Sequence, residues 1–174
     1  MANPKLLEEA YNLDVNLIHD IILQLQLEYD YVIIDTTSTF SSLNLSVMDM
    51  STLIDFVGIV DFIPTIKNMK SGADTLKELG YENTKIRYIL NRANAKTKID
   101  VEDVEAILGR NFNYVVSNDF ITARKSIQSG IPLVIASKDT QVAKDIRAMI
   151  GRSDRDYTKK AESQEKGWLS RLFS

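Results

Sequence analysis

Three clusters of polar side chains stand where short apolar runs end. Asp35-Thr36-Thr37-Ser38 follows Tyr31-Val32-Ile33-Ile34, Asn91-Arg92 follows Ile86 to Leu90, and Ser117-Asn118-Asp119 follows Tyr114 to Val116. A carboxylate at the end of a buried strand is a place where magnesium is held during phosphoryl transfer, directly or through water. Thr36 and Ser38 could add hydroxyl contacts there, and Asp35 could equally cap the turn that follows. Asn91 offers both a donor and an acceptor to a base edge, and is equally an ordinary turn residue. A fourth cluster closes the chain: Lys166-Gly167-Trp168-Leu169-Ser170-Arg171-Leu172-Phe173-Ser174. Wound as a helix, Trp168, Leu169, Leu172 and Phe173 fill one sector while Ser170 and Arg171 point away. Such an end suits the headgroup boundary of a bilayer, with Lys166 and Arg171 toward anionic lipid; the other reading is a helix docked on its own domain.

Composition removes several other chemistries. The chain has no cysteine and one histidine, which excludes disulfides, thiolate catalysis and cysteine-ligated zinc, and argues against a histidine metal site or triad. Cysteine-free composition fits a reducing cytosol, and no signal peptide is visible in the polar start. No run reaches ~18 apolar residues, so a peripheral rather than spanning membrane contact is expected. Residues 152–174 carry six Lys/Arg and four Asp/Glu, a net +2, which leaves −5 on the rest of a chain whose total is −3. An acidic body argues against a nucleic-acid partner. A phosphate-binding loop needs clustered glycines and a lysine. The seven glycines, at 58, 72, 80, 109, 130, 151 and 167, are scattered, and the sequence contains no Gly-Lys-Ser/Thr.

The elements that must position these groups alternate. Helical spacing predicts a helix over 15–28 capped by Asp14, with His19 solvated beside Asp20. Further helices are expected over 41–50, over 64–79 closed by Gly80, and over 101–108 capped by Asp100 and closed by Gly109. Two more are expected over 120–129 ending at Gly130 and over 140–150. Apolar runs predict strands at 31–35, 53–60, 86–90, 114–116 and 133–136, of the kind found in central parallel sheets. The order is α/β: a three-layer sandwich with a mostly parallel sheet, whose ligands would lie beyond the carboxyl ends of the strands. One α/β domain over 1–151, a flexible polar linker over 152–165 and an amphipathic membrane-targeting helix over 166–174 are expected.

Taken in order, Tyr29 to Asp35, Leu79-Gly80-Tyr81, Ile89-Leu90-Asn91-Arg92-Ala93, Val101 to Arg110 and Ser129-Gly130-Ile131-Pro132-Leu133 carry a family pattern. They resemble the C-terminal two-thirds of a MinD/ParA-type deviant Walker A ATPase, a P-loop NTPase fold, in the CpaE/TadZ branch associated with Flp/Tad pilus assembly. The resemblance covers roughly residues 15–150. The tail separately resembles the MinD membrane-targeting sequence. By this resemblance Asp35 is the Walker B aspartate, catalytic and on the magnesium side of the attacking water; Asn91 contacts adenine with Arg92 beside it. ATP and Mg2+ are the implied cofactors. The implied behaviour is a nucleotide-controlled face-to-face dimer that binds membrane or partner proteins.

The departures from the family matter as much. The Lys-Gly-Gly-x-Gly-Lys-Thr loop and its signature lysine are missing from this sequence, and Thr36-Thr37-Ser38 stands where the family places a proline. The reading is therefore a membrane-associated localisation or assembly factor that does not hydrolyse ATP as this chain stands; whether ATP binds stays open. Its expected place is cytoplasmic and peripheral on the inner face of the cell membrane. A homo-oligomer is expected, with pilus or secretion assembly proteins as possible partners. The alternative is the C-terminal part of an active ATPase whose Walker A loop lies outside this chain. A receiver-like phospho-acceptor is disfavoured, because the acidic pair and the lysine it needs are not in place.

Overall fold

The computed structural model describes residues 14–59, 63–94 and 99–150. The linker and the membrane-targeting residues Lys166, Trp168, Leu169, Arg171, Leu172 and Phe173 lie outside the described residues. The chain forms two compact units, Met1–Ile54 and Asp55–Ser174.

In the first unit, helix α1 (Val15–Glu28) begins at Asp14, whose side chain accepts from the Asn16 N–H at 2.9 Å. His19 is exposed and lies 3.7 Å from Asp20. Helix α2 (Ser42–Met50) begins at Ser41, whose hydroxyl accepts from the Asn44 N–H. The two helices pack on each other, and Ile22 and Val47 are buried. Residues 31–35, expected as a strand, join no ladder among the described residues; Ile33 is 94% exposed. An apolar run becomes a strand only when a neighbour takes its backbone groups and layers cover its faces.

The second unit is built on a three-stranded parallel sheet of order β1-β2-β3, with β1 at Ile54–Ile59, β2 at Ile86–Ala93 and β3 at Tyr114–Ser117. Successive side chains on a strand point to opposite faces, and the two faces are covered by different helices. On one face Phe56 meets Tyr88 edge-on, ring centroids 5.7 Å apart, and Phe56 also lies over Gly72 of α3 (Ile63–Glu78). Helix α3 buries Ile66, Met69, Ala73 and Leu76, spaced as one helical stripe, and packs on α4 (Val101–Leu108). On the other face Ile89 and Val116 pack with Val142 of a helix over 141–150 (α7), joined by Tyr114, Leu133, Ile146 and Met149. Three layers result, as the apolar strand runs require.

Helix ends follow the sequence signals. Gly80 (φ +86) ends α3, with Tyr81 N–H donating to the Leu76 carbonyl, and Gly109 (φ +70) ends α4. Asp100 stands at the N-cap of α4 without a side-chain capping bond. Helix α5 (Phe120–Ser129) runs from its Asp119 cap to Gly130 as expected. Leu133–Ala136, expected as a strand, is instead a short helical turn, α6. Its backbone is satisfied locally, by Ala136 N–H to Pro132 and Ser137 N–H to Leu133, so four apolar residues need no sheet partner.

Candidate functional site

Two of the three polar strand ends meet at one end of the sheet. Ile89 pairs with Tyr114 and Leu90 with Val115, but the next pair is Ala93 with Ser117. Asn91 and Arg92 therefore stand together opposite the single residue Val116, which is a β-bulge. The sequence places them after the strand; the structure places them inside it, because β2 continues past the bulge to Ala93. Arg92 takes φ +58 and Asn94 φ +62, both non-glycine residues in the left-handed region. The bulge is held from two sides. Asn91 Oδ1 accepts from the Arg92 N–H at 2.9 Å, and the Ala93 carbonyl accepts from the Asn118 N–H at 2.8 Å. The result is an exposed arginine beside an oriented asparagine amide, at the carboxyl end of a parallel strand. Left-handed non-glycine residues and bulges concentrate where a binding group must be aimed.

The Ser117-Asn118-Asp119 cluster is mostly spent on structure. Asp119 Oδ1 accepts from the Thr122 N–H at 2.9 Å, and bonding to the Thr122 side chain, then to this N–H, holds its carboxyl below the ordinary value. Ser117 donates its N–H to Asp145 Oδ2 at 2.9 Å, and Gln141 donates to Asp145 Oδ1 at 2.7 Å. Burial alone would push Asp145 up, but these bonds outweigh it and its pKa is lowered. Asp145 thus ties the end of β3 to α7. Sequence reading missed it; the only available signal was a carboxylate between the core positions Val142 and Ile146.

Asp35 belongs to the first unit, and Asn91 and Arg92 to the second. Asp35 and Thr36 to Ser38 are exposed. The loop they form is organised by Asn44, a buried polar residue that sequence reading also missed. Asn44 Nδ2 donates to Thr37 Oγ1 (2.8 Å), to the Thr39 carbonyl (2.7 Å) and, more weakly, to the Thr37 carbonyl (3.3 Å). Its signal was there: an amide one turn before Val47, on the face α2 buries. In place of a proline, this chain fixes the segment after Asp35 from the first turn of the following helix.

On the opposite strand pair, Arg87 grips Asp55 through both of its forks at 2.7 and 2.8 Å and lies 5.4 Å from the Tyr114 ring centre. Burial would lower the Arg87 pKa, yet bonding to Asp55 raises it. One guanidinium thereby joins all three strands.

ATP and magnesium can be tested against this donor set. Among the described residues no three acidic or histidine side chains cluster to hold a metal ion. Gly80, Gly109 and Gly130 end helices, while Gly58 and Gly72 sit against Met69 and Phe56, so none contributes to a run of amides around a phosphate. Among the described residues, Asn91 and Arg92 stand together at the bulge, and no run of glycine amides surrounds a space for a phosphate. No helix among them is long and apolar enough to cross a membrane.

Comparisons with known proteins agree with this architecture. The chain is similar to a ParA family ATPase from Chlorobium tepidum TLS, with TM-score 0.76 and 21% identity over 84% of this chain and 60% of that one. It is also similar to the cell division ATPase MinD of Pyrococcus furiosus, with TM-score 0.64 and 21% identity over 80% of this chain and 57% of that one. The septum site-determining protein MinD of Pyrococcus horikoshii OT3, solved with Mg-ADP, gives TM-score 0.64 and 21% identity over 80% and 56% of the two chains. No protein-family model matches the sequence, and no curated protein matches it. The fold is that of the ParA and MinD ATPases, and the chain spans about three-fifths of the length of those proteins.

Proposed function

We propose that this chain is a ParA/MinD-like positioning factor of the CpaE/TadZ kind, serving pilus assembly or cell positioning, that reaches the membrane through residues 166–174 and does not hydrolyse ATP with the residues it contains. The observation that carries the reading is a ParA-type fold over 84% of the chain, combined with a sequence that offers no amide cradle for a triphosphate. By the resemblance, Asp35 in the first unit keeps the residue type of the magnesium side, and Asn91-Arg92 in the second unit keep those of the base side. A base edge alone gives weak affinity, since most of the charge on ATP would go unanswered. Titration calorimetry of these 174 residues with ATP and Mg2+ is expected to show no tight uptake. Tight, magnesium-dependent binding overturns the proposal.

Four large apolar side chains in the tail contribute at most about 1.5–3 kcal/mol each on full burial, and ordering nine residues costs about 1 kcal/mol or more apiece. A single tail therefore binds weakly, and two tails on an oligomer bind with an avidity gain of roughly 10²–10⁴. Trp168→Glu or Leu172→Glu is expected to abolish co-sedimentation with anionic vesicles, with the far-UV circular dichroism unchanged. Unchanged sedimentation refutes the tail reading.

A second reading, the C-terminal part of an active ATPase, is favoured by the exposure of Tyr31, Ile33 and Ile34 in a run that joins no ladder among the described residues. An in-frame glycine-lysine loop upstream in the genomic DNA, with hydrolysis by the longer product, would establish it.

A further inference from the structure

Lys5 and Lys67 bracket 61 residues that hold ten Asp/Glu and no Lys or Arg, in a chain with 21 Lys/Arg in all. The described part of the first unit, 14–54, lies wholly inside this stretch and carries six carboxylates. Its helix α1 is apolar on two sides. Ile22 is buried, with Ile18 and Leu25 half-buried beside it. At about 100° per residue, Leu17, Leu23 and Leu27 fall together with Asp20 within roughly 120° on the opposite side. The three leucines are 56%, 43% and 80% exposed, and the Asp20 side chain 76%. Exposed Glu28 and Asp30 extend the negative charge past the carboxyl end of the helix, where the helix dipole has the same sign. In the sequence from 14 to 54 the one basic side chain is His19, 3.7 Å from Asp20. A helix whose first apolar stripe is already packed and whose second stripe faces water presents an interaction surface.

We propose that this outer face of α1 docks a cationic amphipathic helix of a partner protein. The leucines meet its apolar stripe, and Asp20, Glu28 and Asp30 meet the Lys or Arg residues that flank it. The inference is independent of the nucleotide and tail readings. Charge and size separate this occupant from the others. A second copy of the same face would set Asp20 and Glu28 against like charges, which is destabilising. An anionic bilayer and a nucleic acid are repelled for the same reason. A metal ion or a polyamine answers the carboxylates but leaves three leucines in water, and among the described residues no acidic cluster is arranged to hold a metal. A helix laid along α1 answers both. It offers apolar anchors one and two turns apart, as the leucines require, and long cationic side chains whose stems lie over apolar surface while their heads reach carboxylates.

The test uses the full chain and three labelled probes: a synthetic Leu/Lys amphipathic helical peptide, a Leu/Glu peptide of the same pattern, and polylysine. Fluorescence anisotropy reads binding. The Leu/Lys peptide is expected to bind, with an affinity that falls as salt rises, and the other two at least about tenfold more weakly. Leu27→Lys should weaken the Leu/Lys peptide about tenfold, since it removes an apolar anchor and adds a charge like that of the peptide. Asp20→Asn, a change of the same sign that keeps every leucine, should weaken it about threefold. Glu102→Gln on α4 neutralises an exposed acid away from the face and should leave the affinity unchanged. Equal losses in Leu27→Lys and Glu102→Gln mean that only net charge is read. A Leu/Glu peptide that binds as tightly removes the charge argument, and a Leu/Lys peptide that does not bind removes the surface. A lower urea midpoint in Leu27→Lys assigns the face to another part of the same chain. A concentration-dependent rise in mass that Leu27→Lys abolishes, with no peptide present, assigns it to a second copy. Each of these five outcomes overturns the proposal.

Discussion

Single side chains fix the two loops on which the functional reading depends. Asn44 gives one amide group to three acceptors in the loop after Asp35, from a site 7% exposed, so its removal leaves the Thr37 and Thr39 oxygens without that donor. Asn44→Ala is expected to cost about 1–2 kcal/mol in chemical denaturation and to speed amide exchange over residues 36–40, while α3 to α5 exchange as before. Uniform acceleration across both units would show that Asn44 acts on the core and not on the loop. Asp145 makes the matching contact at the end of β3, and its behaviour depends on pH. Its folded pKa lies below the ordinary carboxylate value of about 3.9. The native state therefore binds fewer protons than the unfolded one, and the stabilisation is fully present above about pH 4 and lost as pH falls through the depressed value. Urea midpoints measured downward from neutrality should fall below about pH 4, and Asp145→Asn should flatten that fall. An identical acid profile for the variant would remove Asp145 from the account.

At the scale of elements, close packing between β1 and α3 sets a sharp constraint at Gly72. A Cβ built there would lie 2.8 Å from the tip of Phe56, whose ring meets Tyr88 edge-on. Replacing glycine by alanine inside a helix ordinarily gains about 1 kcal/mol. Displacing a wedged aromatic ring costs about 1–3 kcal/mol, so the clash wins and Gly72→Ala should lower the melting temperature. A rise would mean that the ring moves freely. The elements differ in how much of them the sequence revealed, and the difference has a physical basis. Helices α1 to α5 were legible because their signals are local: Asp14 as a cap, Gly80, Gly109 and Gly130 as stops, and apolar stripes between them, while the caps Ser41 and Asp119 were not read as such. Two apolar runs misled for the opposite reason. Tyr31 to Ile34 joins no ladder among the described residues, and Leu133 to Ala136 closes its own hydrogen bonds as a turn, so neighbours rather than composition decide both. The bulge at Asn91-Arg92 was illegible because register is a property of two strands, and one strand's sequence does not contain it. The residue types at the candidate site were thus readable, while their setting was not.

For the molecule as a whole, the question is what an α/β fold does with an apolar run that joins no ladder among the described residues. Ile33 is 94% exposed, Tyr31 60% and Ile34 37%, while Leu17, Leu23 and Leu27 of α1 add further exposed apolar surface to the same unit. A contiguous apolar segment with β-prone residues is a template for pairing with another chain. Natural edges are protected by inward or flanking charge, and here the nearest charges are Asp30 and Asp35, at the ends of the run rather than within it. Self-association follows as the expected behaviour of the isolated chain, and it would also couple two tails to one membrane. Sedimentation velocity over a range of concentrations should therefore show a reversible rise in mass. Ile33→Lys places a charge at the most exposed position and should shift that rise to about tenfold higher concentration or more, because like charges directly opposite one another destabilise strand pairing. Since Ile33 is almost fully exposed, the variant should unfold at the same denaturant midpoint as the parent when both are dilute. A parent chain that stays a monomer throughout would mean that residues 31–34 are not a pairing edge, and the membrane avidity argued for two tails would then have no dimer to act through.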